Sequence, residues 1–290
     1  MRALWTFLRS EPPALLGSMW IGLWVLVAML GPVIRPDPTP YANDQHLELA
    51  HLAPGATAEV MAFDGTTTTR RYWLGTDRFG RDFLSRLMAG AGLSLSVGCL
   101  AVLISLLIGV PLGALAGYHG GRIDAAISWV LQVMWSIPTL LLVLAITLAF
   151  GKGFWQVFVA IGLTMWVDVA RIVRGQVLSV KNLEWVEAGR ALGFSPQRIL
   201  FRHILPNISG PIAVVAAANF AAAILIEAGL SFLGIGAQIP MPSWGNIIRA
   251  HYGAILTGTP HLALIPGAAI MGLVLAFNAL STSFARRWGR

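Results

Sequence analysis

The chain has 290 residues, of which 56% are hydrophobic and only 11% charged, with a mean hydropathy of +0.71. A soluble domain of this size carries roughly a quarter charged residues, so this composition excludes an ordinary water-soluble fold and points to a surface that faces lipid. The net charge of +7 does not imply a nucleic-acid partner, because membrane proteins collect Lys and Arg in loops that face the anionic inner leaflet.

A helix crossing the hydrocarbon core needs about 20 apolar residues. Read in chain order, candidate spans fall at 14–34, 90–118, 126–150, 154–174, 211–234 and 262–284, an all-α membrane protein of about six spans. Arg2 and Arg9 precede the first of these. The uncharged stretch from Leu15 to Ile34 is longer than a signal-peptide apolar core and runs into Gly31-Pro32-Val33-Ile34-Arg35-Pro36 rather than a cleavage site. It is expected to be a retained span with a Pro-rich exit. The chain then divides into a tail and first span at 1–34, an extracytoplasmic loop at 35–89, a five-helix core at 90–285 containing a loop at 181–207, and a basic tail at 286–290.

Within the first loop, Asp64-Gly65 lies between the β-prone runs Ala58–Phe63 and Thr66–Trp73. The pattern suits a tight hairpin, with a disordered loop as the alternative. Farther on, Asp77, Arg78, Arg81, Asp82 and Arg86 recur at helical spacing. They could form an amphipathic elbow on the outer membrane face, either as a structural ion-pair network or as a contact for a solute receptor.

The second span carries Gly109, Gly113 and Gly117, a small-xxx-small ladder that lets two helix backbones approach in lipid. The fifth has an alanine series to the same effect. Cys99, the single cysteine, sits in an apolar run and is expected to pack. Asp168 in the fourth span could pair with Arg171 or Arg174, and Asn219 and Asn278 suit interhelical hydrogen bonds. Glu227 lies in the fifth span. An ionisable group there costs about 3 kcal/mol or more, and two readings stay open: lining or gating of a polar path, or a structural hydrogen bond to a neighbouring helix. The histidines are scattered without metal-ligand spacing, and no phosphate-binding loop is present, Ile146 standing where the first Walker glycine would be.

The loop between spans four and five is the most informative segment. Asn182 can cap a short helix from Leu183 to Leu192, with Trp185, Ala188 and Leu192 on one stripe and Glu184, Glu187 and Arg190 on another. Gly193 suits the position after a helix end. Ser195 and Pro196 suit the start of a second helix, placing Ile199 and His203 together, with Pro206 ending it. Such a pair of amphipathic helices can lie on lipid or dock on a partner. With the N-terminus inside, Arg122, Arg171, Arg174, Lys181, Arg190, Arg198, Arg202, Arg286, Arg287 and Arg290 fall on the cytoplasmic side with Arg2 and Arg9, leaving only Lys152 and Arg249 in the short outer loops.

The series Glu187-Ala188-Gly189, three residues, Gly193, nine residues, His203-Ile204-Leu205-Pro206 resembles the EAA motif of bacterial ATP-binding-cassette importer permeases. Gly189 stands for the motif's second Ala and His203 for its Ile, while Glu187, Ala188, Gly193, Leu205 and Pro206 match. Leu74-Gly-Thr-Asp-Arg-Phe-Gly-Arg-Asp-Phe-Leu-Ser-Arg86, Glu227 to Gln238, Pro242-Ser-Trp-Gly245, Pro266-Gly267 and Phe277-Asn278 are similar to elements of dipeptide, oligopeptide and nickel permeases, in particular their shorter, C-type subunit. The tail from Ser281 departs from the family pattern.

The resemblance implies a type I importer permease with a coupling helix in the 181–207 loop, where Glu187, Ala188, Gly189, Gly193, His203, Leu205 and Pro206 meet an ATPase. It implies a homologous B-type permease partner, two cytoplasmic subunits that hold ATP and Mg, and an extracytoplasmic solute-binding protein. The setting is the bacterial inner membrane with both termini cytoplasmic. No catalytic residue, metal or cofactor is expected on this chain. Short peptides are the expected solute, with nickel or glutathione as alternatives. An ion-driven secondary transporter would need inverted repeats and more intramembrane polar residues than Glu227 supplies, and a membrane enzyme would need a catalytic constellation that the spans lack.

Overall fold

A computed structural model describes residues 11–61, 67–151 and 153–288. Arg2, Arg9, Asp64-Gly65, Lys152 and Arg290 lie outside the described residues.

Helix α1, Pro12–Ile34, begins with proline in its first turn, where a missing N–H costs nothing. Two short turns follow, and then strands β1, Ala56–Met61, and β2, Thr67–Tyr72, pair antiparallel with Ala56 opposite Tyr72 and Met61 opposite Thr67. The two runs expected to form a hairpin therefore do pair. Helix α2, Phe83–His119, is 37 residues long. At about 1.5 Å per residue it spans more than a bilayer core. Its first turn is closed by Asp82, whose carboxylate accepts from the Ser85 backbone N–H at 2.8 Å and from the Ser85 hydroxyl at 2.5 Å.

The third expected span is not one rod. Helices α3, Gly121–Trp135, and α4, Thr139–Phe150, meet at a bend of 92°. Pro138 accounts for the break. It has no N–H for a helical bond, and its ring disfavours helical geometry in the residue before it. Helix α5 runs over Phe154–Val180, α6 over Glu184–Ala191 and α7 over Pro196–Ile199. A π turn at Leu200–Ile204 leads into α8, Leu205–Asn207. Helix α9, Ser209–Phe232, crosses back, α10, Trp244–His251, lies in the following loop, and α11, His261–Trp288, is last. Five of these helices are long and apolar enough to cross a membrane, or six if the bent α3–α4 pair is one span.

Helix α2 packs most extensively against α5, then α9 against α11, with α1 on the outside of α11 and α2. In lipid no hydrophobic effect draws helices together, so close backbone approach has to supply the contact. The glycine ladder does this. A Cβ at Gly109 would stand 2.6 Å from the Trp166 carbonyl, one at Gly113 would strike the Ala170 backbone, and one at Gly117 would lie 2.8 Å from the Arg174 carbonyl. Gly162 repeats the fit from the α5 side, 2.7 Å from Ile104 Cβ.

Asp168 is exposed, and Arg174 pairs elsewhere. Its Nε and Nη2 hold the two carboxylate oxygens of Asp124 at 2.5 and 2.8 Å, tying α5 to α3. Arg171 lies over the Trp135 ring at 3.4 Å from its centroid. The expected pairing of Asp168 with either arginine is thus replaced by a fork to a residue 50 positions away, closer in space than the next helical turn. Cys99 is exposed on α2 rather than packed.

The α2–α5 contact yields a test. Gly113→Ala should destabilise the purified chain in detergent by about 1–3 kcal/mol, the usual range for overpacking. Gly22→Ala, whose added methyl meets nothing within 4 Å, should leave thermal unfolding unchanged or raise it slightly.

Candidate functional site

The 183–208 segment folds as a compact knob. Leu183, not Asn182, occupies the position before α6. Glu184 and Glu187 sit in its first turn and Arg190 in its last, both favourable to the helix dipole. Gly193 adopts φ +75°, the left-handed geometry that lets the chain reverse, and the Gly193 and Phe194 N–H groups close the helix end on the Arg190 and Gly189 carbonyls. Ser195 accepts from the Arg198 N–H at 3.3 Å and Pro196 opens α7. Pro206 does not end the second helix. It cannot donate to Arg202, so the ladder widens to a π turn in which the Leu205 N–H reaches the Leu200 carbonyl, and the chain continues to Asn207.

The base of the knob is apolar and fully buried. Val186, Ile199, Leu200, Ile204 and Ile208, each 2% exposed or less, pack on Val169, Val173 and Val177 of α5 and Ala114 of α2. Lys181 Nζ donates to the Gly117 carbonyl at 3.0 Å, and Arg190 Nη2 to the Lys181 carbonyl at 3.1 Å. The stripe of Trp185, Ala188 and Leu192 stays on the outer side, with Leu192 72% exposed. It borders an open groove of about 200 Å³ together with Phe194, Ile199 and His203. His203 stacks on Phe194 with ring centroids 5.7 Å apart, and Arg198 lies over the Phe194 ring at 4.0 Å from its centroid. Glu187 is exposed beside the groove, Gly189 is buried within the knob, and Leu205 is half-buried with Pro206 exposed. The motif residues therefore come together in one element, some shaping it and some presenting a face.

Glu227 is 1% exposed and enclosed by hydroxyls. Ser231 donates to Oε1 at 2.6 Å, and Ser94 of α2 approaches Oε2 at 3.5 Å. Ser94 in turn accepts from the Trp244 backbone N–H at 3.4 Å, so this one carboxyl group links α9, α2 and the α10 loop. Such a fixed arrangement suits the structural alternative. Asn219 Nδ2 donates to the Met165 carbonyl at 3.4 Å, an interhelical bond from α9 to α5 as expected. Asn278 is exposed on α11.

At the opposite end of α2 from the knob, residues 76–82 form a turn rather than an amphipathic helix. Gly80 has φ +69°, and an isolated bridge joins Thr76 to Asp82. Asp77 is fully buried and accepts from the Phe79 and Arg81 N–H groups at 2.8 and 3.1 Å and from the Arg81 guanidinium at 2.6 and 2.7 Å. Asp82 is 2% and Arg81 6% exposed. Burial rules out Asp77 and Asp82 as direct receptor contacts and makes them the structural network. Only Arg78, exposed, stays open to a partner. Burial raises the Asp82 carboxyl above its ordinary range despite the Ser85 bonds, and it lowers the His251 imidazole. His251 Nε2 lies 4.0 Å from Asp77. Trp244, fully buried, donates from Nε1 to the Leu87 carbonyl at 3.0 Å and seats α10 on α2. Spacing alone could not find Ser94, Trp244 or the Asp124–Arg174 fork, because each relation joins distant segments, whereas Ser231, four residues after Glu227 on the same helix, was within reach of helical periodicity. Among the described residues no group of His, Cys, Asp or Glu could hold a metal ion.

Comparison with known proteins agrees with this architecture. Residues 109–290 match the family described as binding-protein-dependent transport system inner membrane component. The dipeptide transport system permease protein DppC of Bacillus subtilis (strain 168) is 37% identical over 95% of this chain and 81% of its own length. The oligopeptide transport system permease protein OppC of the same organism is 38% identical over 94% and 83%. The glutathione transport system permease protein GsiD of Pectobacterium atrosepticum is 33% identical over 96% and 87%. Among solved structures, an inward-facing MetNI methionine ABC transporter chain superposes with a TM-score of 0.58 at 18% identity, covering 72% of this chain and 97% of its own, a likeness of fold. By sequence and by fold, the chain belongs to the family of binding-protein-dependent inner membrane transport components, the permeases of ABC importers.

Proposed function

We propose that this chain forms half of the translocation path of an importer for short peptides, and that the knob is the lever through which a separate ATPase drives it. The observation that carries the reading is the division of the knob into a buried apolar base and an exposed apolar groove, with Glu187 exposed on the same short helix. A helix pair built only to rest on its own membrane domain has no need of the second face.

In this reading α3 and α4 count as one broken span, giving six, and both termini lie on the cytoplasmic side with the knob. Two contacts support the orientation. Arg286 near the end of α11 pairs with Glu11 at the start of α1 at 3.3 Å, and Ser281 donates to the Val214 carbonyl near the start of α9 at 3.1 Å, at the knob end of the bundle. The same end carries Arg122, Lys181, Arg190, Arg198 and Arg202, as a cytoplasmic face should. The division at 34, 89 and 285 then separates an inner tail and first span, an outer loop, a core and a basic end.

The partners follow from the family. A homologous B-type permease completes the path, two ATP-binding subunits dock on the knobs and hold ATP and Mg, and an extracytoplasmic binding protein delivers solute in the bacterial inner membrane. This chain performs no covalent chemistry. When the ATPases close, force on Glu187 and the groove passes through Val186, Ile199 and Ile204 into α5, and through the close α5–α2 contact into the bundle. Packed helices respond by rigid-body movement between discrete arrangements. Peptide is the favoured solute because the dipeptide and oligopeptide permeases align over nearly the whole chain. Glutathione, itself a small peptide, fits the same reading, and nickel is the alternative outside it.

Two outcomes are expected. Glu187→Arg should abolish copurification of the ATPase subunits while the chain still accumulates in the membrane at its normal level; unchanged copurification would falsify the docking role. Peptide uptake into cells should stop when ATP is depleted and persist when the proton gradient alone is collapsed, whereas a secondary transporter gives the reverse.

A further inference from the structure

The end of α2 remote from the knob opens on a recess of about 550 Å³. Four arginines line it, Arg78, Arg81, Arg86 and Arg249, and no Asp or Glu does. The carboxylate behind them, Asp77, is engaged by Arg81 through both guanidinium contacts, at 2.6 and 2.7 Å. Arg86 is left underused. It is 7% exposed, its Nε stands 3.9 Å from Asp77 and makes no hydrogen bond, and its Nη1 has only a 3.3 Å contact with the Ala42 carbonyl. Arg78 and Arg249 are exposed at the mouth and form no ion pair among the described residues. Phe79, Met241 and Tyr252 supply apolar wall.

A buried guanidinium without full pairing is costly, and its fork geometry matches a carboxylate. A recess with apolar walls and a few convergent charged groups, within the 300–1,000 Å³ range of small-ligand sites, is the form that binds a small molecule. From Arg86 to Gly117, beside the knob, α2 rises roughly 45 Å, so the recess opens on the membrane face opposite the proposed ATPase dock.

We infer that this recess receives the carboxylate of a small solute, the C-terminal carboxylate of a short peptide, on the outer face before it enters the translocation path. The inference rests on the peptide-importer reading. A free peptide end fits better than a side chain of a docking protein, because Arg81 and Arg86 lie at the bottom, 6% and 7% exposed, beyond reach from a folded surface. Arg86 and Arg81 would hold the carboxylate, Arg78 and Arg249 would draw it in, and Tyr252 and Met241 would contact the terminal side chain.

The test uses the assembled transporter in lipid nanodiscs without its binding protein, with alanyl-phenylalanine and its C-terminal amide as probes in saturation-transfer NMR and calorimetry. The acid should bind about tenfold more tightly than the amide, the gain expected from hydrogen bonds to a charged group. Arg86→Gln should remove that preference, and Arg78→Gln with Arg249→Gln, both at exposed positions, should reduce it severalfold while ATPase copurification and thermal stability stay as in the wild type. Equal binding of acid and amide, or an acid preference undiminished by either the double variant or Arg86→Gln, overturns the inference. So does a double variant that leaves dipeptide binding intact but loses affinity for the binding protein, which would assign the recess to a receptor carboxylate. Binding is read without transport, so a complex that binds the acid selectively but imports no peptide would contradict the importer reading alone.

Discussion

The backbone contact between α2 and α5 is the constraint on which the other features rest. Gly109, Gly113, Gly117 and Gly162 remove the side chains that would otherwise hold the two helices apart, and in lipid there is little else to hold them together. With that contact made, the C-terminal ends of both helices form one platform for the base of the knob. Their upper halves then bring Met165 to Asn219 and Ser94 to Glu227, so that α9 is bonded to both. A lever on such a platform moves a block of helices, whereas the same lever on a single helix would only bend it.

What was legible in the chain depended on how local each cause is. Gly193, Ser195 and Pro196 act on their immediate neighbours, and the knob they delimit has nearly the expected bounds. The β-prone runs Ala56–Met61 and Thr67–Tyr72, close together in sequence, pair as expected. Two local signals carried more than a straightforward reading drew from them. Pro138 breaks the third span, and Pro206 widens a helix without ending it, because neighbouring carbonyls found partners five residues on. Long-range relations left no mark in spacing. Asp77 and Asp82 look like surface charges at a helical period, yet the turn around Gly80 folds them inward. Asp168 is nearer Arg174 along the chain, but Asp124 is nearer in space.

The amphipathic stripe on α6 shows the same limit in another form. Periodicity correctly places Trp185, Ala188 and Leu192 together, but it cannot say which of two apolar faces a short helix buries. Val186 is buried in the base of the knob, and Gly189 faces Phe194 and Ile199, where a methyl group would also fit at ordinary contact distance. The stripe is left outward, and an outward apolar stripe on a well-seated element is a surface that needs a partner.

The buried ionisable groups divide into two kinds, and the difference bears on function. Around Glu227 every neighbour that hydrogen-bonds it is a neutral hydroxyl, so the site is self-contained and links three segments without calling for anything from outside. Around Asp77 one carboxylate is held closely by Arg81 and stands 3.9 Å from Arg86 and 4.0 Å from His251, and Asp37 is a second buried acid whose field reaches Arg86. Neither acid makes a close ion pair with Arg86, and the set opens on a recess with two further arginines at its mouth. A structural network alone would be more stable with an acid in hydrogen-bond contact with Arg86, since an incompletely paired buried charge costs several kcal/mol. A ligand carboxylate would supply the close, forked partner that Arg86 lacks.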